Sequence, residues 1–317
     1  MSRALSFIFM VFLSGCTFMN VSLIPSIQPI KEQVIEGKGH PKILLLDISG
    51  VISEKEKSGG MGIKSLSMTA ELRESLLKAE ADPDVVGVIV RINSPGGAVT
   101  ASDILYQELL SFKDRKKIPV YAHIMGIGTS GGYYVSTASD KIIVQPTSIV
   151  GGIGVISFKF NMEGLLTKVG IQEESIKSGD KKDIQSPLRA STPEEKEIMQ
   201  TIIDKLHSRF VDVVFAQRKD LISRKDLETL SDGRIYSAEQ AVSLRLVDSI
   251  GYLSDTVDMM KNSLGITEAR VITYYRPGDY KTTIYSLSRH DSSILNLIDI
   301  GADAFMVSPE FLYLWMP

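Results

Sequence analysis

Two hydrophobic rhythms alternate along the chain from residue 41 onward. Runs crowded with Val, Ile and Leu occur at "KILLLDISGVI" (42–52), "VVGVIVRI" (85–92), "IPVYAHI" (118–124) and "KIIVQ" (141–145). They are short and largely β-branched, and they read as strands buried on both faces. Between them apolar residues recur every three or four positions. "MTAELRESLLKAEAD" places Met68, Leu72, Leu76 and Ala79 on one helical face. A second helix carries Ile104, Leu105 and Leu109, with Thr100 and Asp103 spaced as a capping box at its start. Strands alternating with amphipathic helices specify an α/β fold, a parallel sheet with covering helices.

The rhythm changes after "TSIVGGIGVI" (147–156). "TPEE" (192–195) opens a long helix, with Thr192 as N-cap, Pro193 at the first helical position and Glu195 closing a capping box. Ile198, Ile202, Leu206 and Phe210 continue one face of it. Before that helix lies "IKSGDKKDIQSPLRAS" (176–191), polar and rich in Gly, Ser and Pro. Long irregular segments of this kind are more often functional or mobile than idle.

The N-terminus follows neither rhythm. "MSRALSFIFMVFLSGC" has Arg3, an apolar core from Ala4 to Leu13, and small residues before Cys16. The core is half the ~20 residues that a spanning helix needs, so residues 1–15 read as a secretory signal peptide. "LSGC" resembles a bacterial lipobox, which makes Cys16 a lipidation site; an uncleaved anchor or a chance cysteine is the alternative. Residues 16–40 then form a tether, 41–265 the globular domain and 266–317 a C-terminal extension. Cys16 is the single cysteine, so no intramolecular disulfide is possible. Across all 317 residues, 44% hydrophobic content, 23% charged content and a net charge of −3 describe an ordinary globular protein. A mildly acidic chain with scattered lysines offers no electrostatic footing for nucleic acid.

The candidate chemistry centres on "GIGTSGGYYVS" (126–136). Glycines flank Ser130 at a predicted strand-to-helix turn, where they permit a tight bend that presents the hydroxyl. The N–H groups that open the helix then face whatever the hydroxyl attacks. A small capping residue in a close helix packing fits the stretch equally well. "NSPGG" puts Gly96 and Gly97 at the end of a neighbouring strand, as a second backbone donor, as a strip for an extended substrate, or as a plain Pro-Gly turn. Two such turns at adjacent strand ends, on the ligand-binding edge of a parallel sheet, favour the functional reading.

A nucleophilic serine needs a base. His40 falls in the tether, His207 in the long helix, and His123 on a strand as a packed side chain; His290, beside Asp291, remains. "GTSGG" matches the G-x-S-x-G nucleophile elbow of α/β-hydrolases, but that architecture needs a later Asp and then a His, and no well-placed pair stands out. The other available base is a lysine, whose neutral amine accepts the hydroxyl proton when desolvated. Spacing does not single one out.

Five segments, in order over residues 41–260, resemble the signal peptide peptidase A (protease IV) family of Ser/Lys serine peptidases. They are "INSPGG", "GTSGGYYVSTASDKIIV", "SIVGGIGVI", "SGDKKDIQSP" and "DGRIYSAEQAVSLRLVDSIG". The resemblance implies a Clp-protease/crotonase-like fold, Ser130 as nucleophile and Lys182 as general base, with Lys181 its rival. It implies oxyanion donors at the backbone N–H groups of Gly97 and Gly131, no metal and no organic cofactor. The implied substrates are short, extended, apolar peptides such as cleaved signal peptides. Members with two fused copies draw serine and lysine from different copies, so a single-copy chain is expected to borrow its lysine within a homo-oligomeric ring. With lipid on Cys16, the protein is expected to be membrane-anchored and to face the periplasm or cell exterior. Two other classes share the paired glycines: a crotonase-type acyl-CoA enzyme, which needs no nucleophile, and a non-catalytic scaffold, which needs neither Ser130 nor Lys182. The tail "SPEFLYLWMP" (308–317) fits core packing, a subunit boundary or a neighbour's substrate groove.

Overall fold

A computed structural model describes residues 28–58, 64–276, 281, 283–286 and 311–316. Cys16, His290 and Asp291 lie outside the described residues. Strands Lys42–Ser49, Val85–Ser94, Val120–Thr129 and Lys141–Val144 lie side by side and parallel. They form the middle of a sheet that has nine strands among the described residues. Ile43, Leu45, Ile89, Tyr121 and Ile143 point to one face and meet Leu253, Val257 and Met260 of helix Leu253–Leu264. Leu44, Val88, Val90, Ala122 and Ile142 point to the other face and meet helices Met68–Ala81 and Val99–Lys116. Both faces are covered, so these strands are continuously apolar rather than alternating. The fold is α/β, as the sequence rhythm requires.

The face expected for helix Met68–Ala81 is its buried set: Met68, Leu72, Leu76 and Ala79. The expected capping box at Thr100 and Asp103 does not form. The helix starts at Val99, and no side chain caps it. The Val99 N–H donates to the Phe311 carbonyl (3.1 Å), so a first-turn donor is already satisfied from a remote segment. Asp103 instead accepts from the Tyr134 hydroxyl (2.6 Å) and pairs with Arg209 (2.5 Å).

The sheet also takes in segments from outside residues 41–265. Lys31–Gly37, assigned to the tether from sequence, is an edge strand antiparallel to Arg270–Tyr275. Arg270–Tyr275 runs parallel against Lys42–Ser49 and buries Val271 and Ile272. The edge strand "KEQVIEG" carries few apolar residues, as an edge that faces water on one side tolerates. Farther along, Leu312–Leu314 pairs antiparallel with Gly96–Ala98.

Residues 157–192 are mostly irregular, with one short helix at Glu163–Lys168. Helix Pro193–Arg218 opens with the expected capping box: Thr192 Oγ1 accepts from the Glu195 N–H (3.2 Å), and the Glu195 carboxylate accepts from the Thr192 N–H (2.9 Å). Phe210 is buried, whereas Ile198 and Ile202 are exposed. The first half of this helix, with residues 157–192, therefore stands away from the sheet as an arm.

Candidate active site

Ser130 follows strand Val120–Thr129 and precedes helix Gly131–Ser136. Its backbone sits at φ 53°, ψ −118°, a conformation that L-residues rarely adopt. Two bonds hold it there: the Ser130 N–H donates to Gly151 O (2.7 Å), and Ser130 O accepts from the Tyr134 N–H (2.8 Å). The residue is 1% exposed, and its hydroxyl finds no hydrogen-bond partner among the described residues. A strained backbone and an unsatisfied buried hydroxyl each cost about 1–3 kcal/mol, and such costs persist where a function needs them.

The two glycine turns meet at this serine. Gly96 has φ +102°, and a methyl group there would fall 2.7 Å from Gly131 N. A methyl group on Gly131 would come within 2.4 Å of Ser102 Oγ and 3.2 Å of Gly97 N. Only residues without Cβ allow backbones this close, and the closeness brings the Gly97 and Gly131 backbone nitrogens near each other. Ser94 Oγ fixes the approach by donating to Gly50 O (2.6 Å) and accepting from the Gly96 N–H (3.1 Å).

Lys182 is not joined to Ser130 in this chain. It lies exposed in the arm, while the Ser130 hydroxyl is unpartnered. Lys181 is engaged with Glu194 (2.6 Å), and that hydrogen bond raises its pKa, which holds its amine protonated. Around the two lysines runs an ion-pair network. Arg189 bridges Asp183 (2.7 Å) and Glu195 (2.5 Å), and Lys177 adds a second cation to Asp183 (2.7 Å). Arg189, then Lys177, hold the Asp183 carboxyl well below the usual carboxylate range. Arg189, then the Thr192 N–H, pull Glu195 down to about 2.

The described histidines have other partners. His123 is buried with Nδ1 2.8 Å from Thr256 Oγ1, and burial, followed by the Arg91 charge, pushes its pKa down to about 4. His207 Nε2 lies 2.7 Å from Ser231 O, and His40 Nδ1 lies 3.2 Å from Asp84. The sequence reading missed an aromatic cluster beside the serine. Tyr134 and Phe210 pack on Tyr313, with centroids at 5.1 and 4.6 Å. In sequence these side chains are indistinguishable from ordinary core.

A strained, buried serine between two closely packed glycine turns, at the strand ends of a parallel sheet, fits a hydrolase with a serine nucleophile. Residues 112–267 match the family model described as Peptidase family S49. The chain is 36% identical over 244 residues to the putative signal peptide peptidase SppA of Enterococcus faecium, covering 77% of this chain and 70% of that protein. It is 37% identical over 195 residues to a putative protease of Methanocaldococcus jannaschii, covering 62% of this chain and 61% of that protein. Among solved structures, a ClpP1 mutant from Listeria monocytogenes aligns with a TM-score of 0.43 at 18% identity, over 67% of this chain and 92% of that one. The chain belongs to peptidase family S49, and it is a serine peptidase.

Proposed function

We propose that the protein is a membrane-associated endopeptidase in which Ser130 is the nucleophile and Lys182 of a neighbouring copy is the general base. One observation carries this reading: Ser130 is buried with an unpartnered hydroxyl, while Lys182 of the same chain is exposed on an outlying arm. Neutral Lys182 takes the Ser130 proton as the oxygen attacks a peptide carbonyl. The Gly97 and Gly131 N–H groups receive the oxyanion, the protonated lysine returns the proton to the leaving amine, and water then hydrolyses the acyl-enzyme.

The arm supports assembly from several copies. Phe158, Phe160, Leu165, Val169, Ile171 and Ile176 are all exposed large apolar side chains within it. Apolar surface concentrated in this way marks an interaction site. A contact in which one copy's arm meets the next copy's serine is head-to-tail, and such contacts form rings when they close. Short apolar peptides, cleaved signal peptides among them, suit a confined site of this kind. Lipid on Cys16 supplies the membrane attachment and places the domain outside the cytoplasm. Mass spectrometry of the mature N-terminus checks that part: a lipid adduct on Cys16 is expected, and an unmodified N-terminus upstream of it refutes the anchor.

The dyad is tested by complementation. Inactive Ser130→Ala protein is mixed with inactive Lys182→Ala protein under subunit exchange, and peptidase turnover is followed. Partial recovery is expected, because a hybrid ring contains some intact serine–lysine pairs. Mixed oligomers that stay as dead as both parents would place the dyad within one chain.

A further inference from the structure

Lys182 sits in a loop that is fixed within its own chain. Arg189 lies six residues from Asp183 and six from Glu195, and it grips both carboxylates with two prongs. Toward Asp183 its Nε and Nη2 each donate at 2.7 Å. Toward Glu195 its Nη1 and Nη2 donate at 2.9 and 2.5 Å. Forked pairing of this kind fixes angle as well as distance, which a lysine ammonium cannot do. Glu195 also accepts from the Thr192 N–H (2.9 Å), so the clamp is anchored on the first turn of helix Pro193–Arg218. Asp183 directly follows Lys182, so the clamp holds the backbone one residue from the amine.

Other bonds brace the same loop. The Lys182 N–H donates to Gly179 O (3.1 Å), and the Ser186 N–H donates to Asp183 O (2.9 Å). The Met162 N–H donates to Pro187 O (2.8 Å), and the Ala190 N–H donates to Glu163 (2.9 Å), which ties the loop to the short helix of the arm. Between these braces Gln185 is held at φ 69°, a left-handed backbone that L-residues disfavour. Such a conformation persists where the surroundings over-determine it, and it is common at functional sites.

Charge gives the clamp a second effect. Lys181 shows what an available carboxylate does to a neighbouring amine, because Glu194 captures it at 2.6 Å. Lys182 makes no ion pair among the described residues, although a carboxylate is next to it in the chain. Asp183 Oδ1 is taken by Arg189, and Oδ2 by Arg189 and Lys177. The Glu195 oxygens are taken by Arg189 and the Thr192 N–H. Neither carboxylate is left to compete for the Lys182 amine.

We infer that Arg189 is a positioning residue for peptide cleavage: by closing Asp183 and Glu195 into one clamp, it fixes the Lys182 backbone and keeps the amine free for Ser130 of a neighbouring copy. The inference rests on the Lys182 reading above and deepens it by naming what holds the base. The side-chain bonds of Arg189 all end on the arm itself, so it acts through Lys182. Misplacing a reacting group by about 1 Å can cost roughly a hundredfold in rate, which is the scale at stake.

The first test is steady-state kinetics on an internally quenched apolar peptide. Arg189→Ala is expected to lower kcat roughly tenfold to a hundredfold and to leave KM within about threefold, because the base is misplaced while peptide binding is untouched. Arg189→Lys keeps the charge but cannot fork onto two carboxylates, and it should restore only part of the loss. Unchanged kcat in Arg189→Ala, with Lys182→Ala inactive, overturns this inference alone. Turnover that survives in Lys182→Ala sinks the base reading itself.

A merely structural role is separated by placing the substitution in one partner of a complementing pair. Hybrids of Ser130→Ala and Lys182→Ala protein use the lysine of the first and the serine of the second. With Arg189→Ala added to the Ser130→Ala chain, which donates the lysine, recovered turnover should fall roughly tenfold or more. Added to the Lys182→Ala chain, which donates the serine, it should leave recovery as it was. The mixtures are compared at equal assembled mass by light scattering. Equal loss in both placements would mean that Arg189 only holds the arm together, and no loss in either would free Lys182 from it; both overturn the inference. If the parent mixture shows no recovery, the shared dyad fails, and kcat of the Arg189→Ala single variant then decides whether Arg189 positions the base.

Discussion

The sheet and the arm are built on opposite principles. Around Ser130 nearly every side chain is buried, and apolar contacts on both faces of the sheet fix the strands. Around Lys182 large apolar side chains point outward: Phe160 is 77% exposed and Val169 is 61% exposed. The arm is organised instead by charge, through Arg189, Asp183, Glu195 and Lys177. Among the described residues, the sheet's own helices cover both of its faces. The arm is shaped by its own ion pairs, yet its apolar side is left for something else to cover. The proposed dyad, with one member in each region, would be assembled when that covering takes place.

The most severe way to probe the contrast is to remove one proposed catalytic group from each region. Ser130→Ala and Lys182→Ala are each expected to lower kcat/KM by roughly 10⁴-fold or more, and the double variant should be little worse than either. His290→Ala should leave turnover unchanged. Full activity in Lys182→Ala breaks the assignment of the arm, and loss in His290→Ala returns a histidine base.

Packing gives the next largest effect, and it should separate the regions cleanly. Leu105→Ala removes a fully buried side chain below the sheet and should cost about 2–5 kcal/mol in denaturant unfolding. Phe160→Asp alters an exposed side chain, so unfolding of the isolated chain should change little. It should instead reduce the assembled mass seen by light scattering, and peptidase turnover with it. An unchanged mass would mean that this surface is not the one covered.

Acid should loosen the two regions in different windows. His123 has its pKa lowered from 6.5 to about 4 by burial, so the folded state disfavours its proton. Its contribution is complete above pH 6.5 and is lost as pH falls toward 4, because the unfolded chain binds the proton first. Glu195 has its pKa lowered from 4.5 to about 2, mainly by Arg189, and Asp183 shifts in the same direction. The arm's ion pairs are therefore intact above pH 4.5 and fail as pH drops toward 2. Calorimetric Tm in the upper window should lose part of its pH slope in His123→Gln. Proteolytic nicking within 177–195 should begin only in the lower window, and it should begin near neutral pH in Arg189→Ala. Nicking of the wild-type arm at pH 6 would deny the ion pairs their role.

Much of the fold was legible because its determinants are local. Met68, Leu72, Leu76 and Ala79 repeat at helical spacing and are buried together. Thr192, Pro193 and Glu195 meet their cap partners within one turn. Misreadings arose where a remote segment supplies the partner. Thr100 and Asp103 have the right spacing, but the Phe311 carbonyl already takes the Val99 N–H. Lys31–Gly37 looks like tether because an edge strand needs few apolar residues, and its partner Arg270–Tyr275 comes much later in the chain. Ser130 could be singled out by its glycines. Tyr134, Phe210 and Tyr313 could not, since only the fold packs their three rings together.

The smallest effect concerns where the arm joins the rest of the molecule. Thr192 caps helix Pro193–Arg218 by accepting from the Glu195 N–H, and Glu195 answers by accepting from the Thr192 N–H. The same Glu195 carboxylate also binds Arg189, which holds Asp183, the residue next to Lys182. One cap therefore links the helix start to the segment that carries the proposed base. Thr192→Ala should cost about 1 kcal/mol, as loss of a Thr cap does. In a domain of this size that is a Tm drop of roughly 2–4 °C. Hydrogen exchange should rise in residues 177–198 and stay unchanged in Val120–Thr129. Thr192→Ser keeps a hydroxyl acceptor and should restore most of the loss. If exchange rose equally in both places, the arm would not be a separately stabilised unit, and the contrast with the sheet would fail at its hinge.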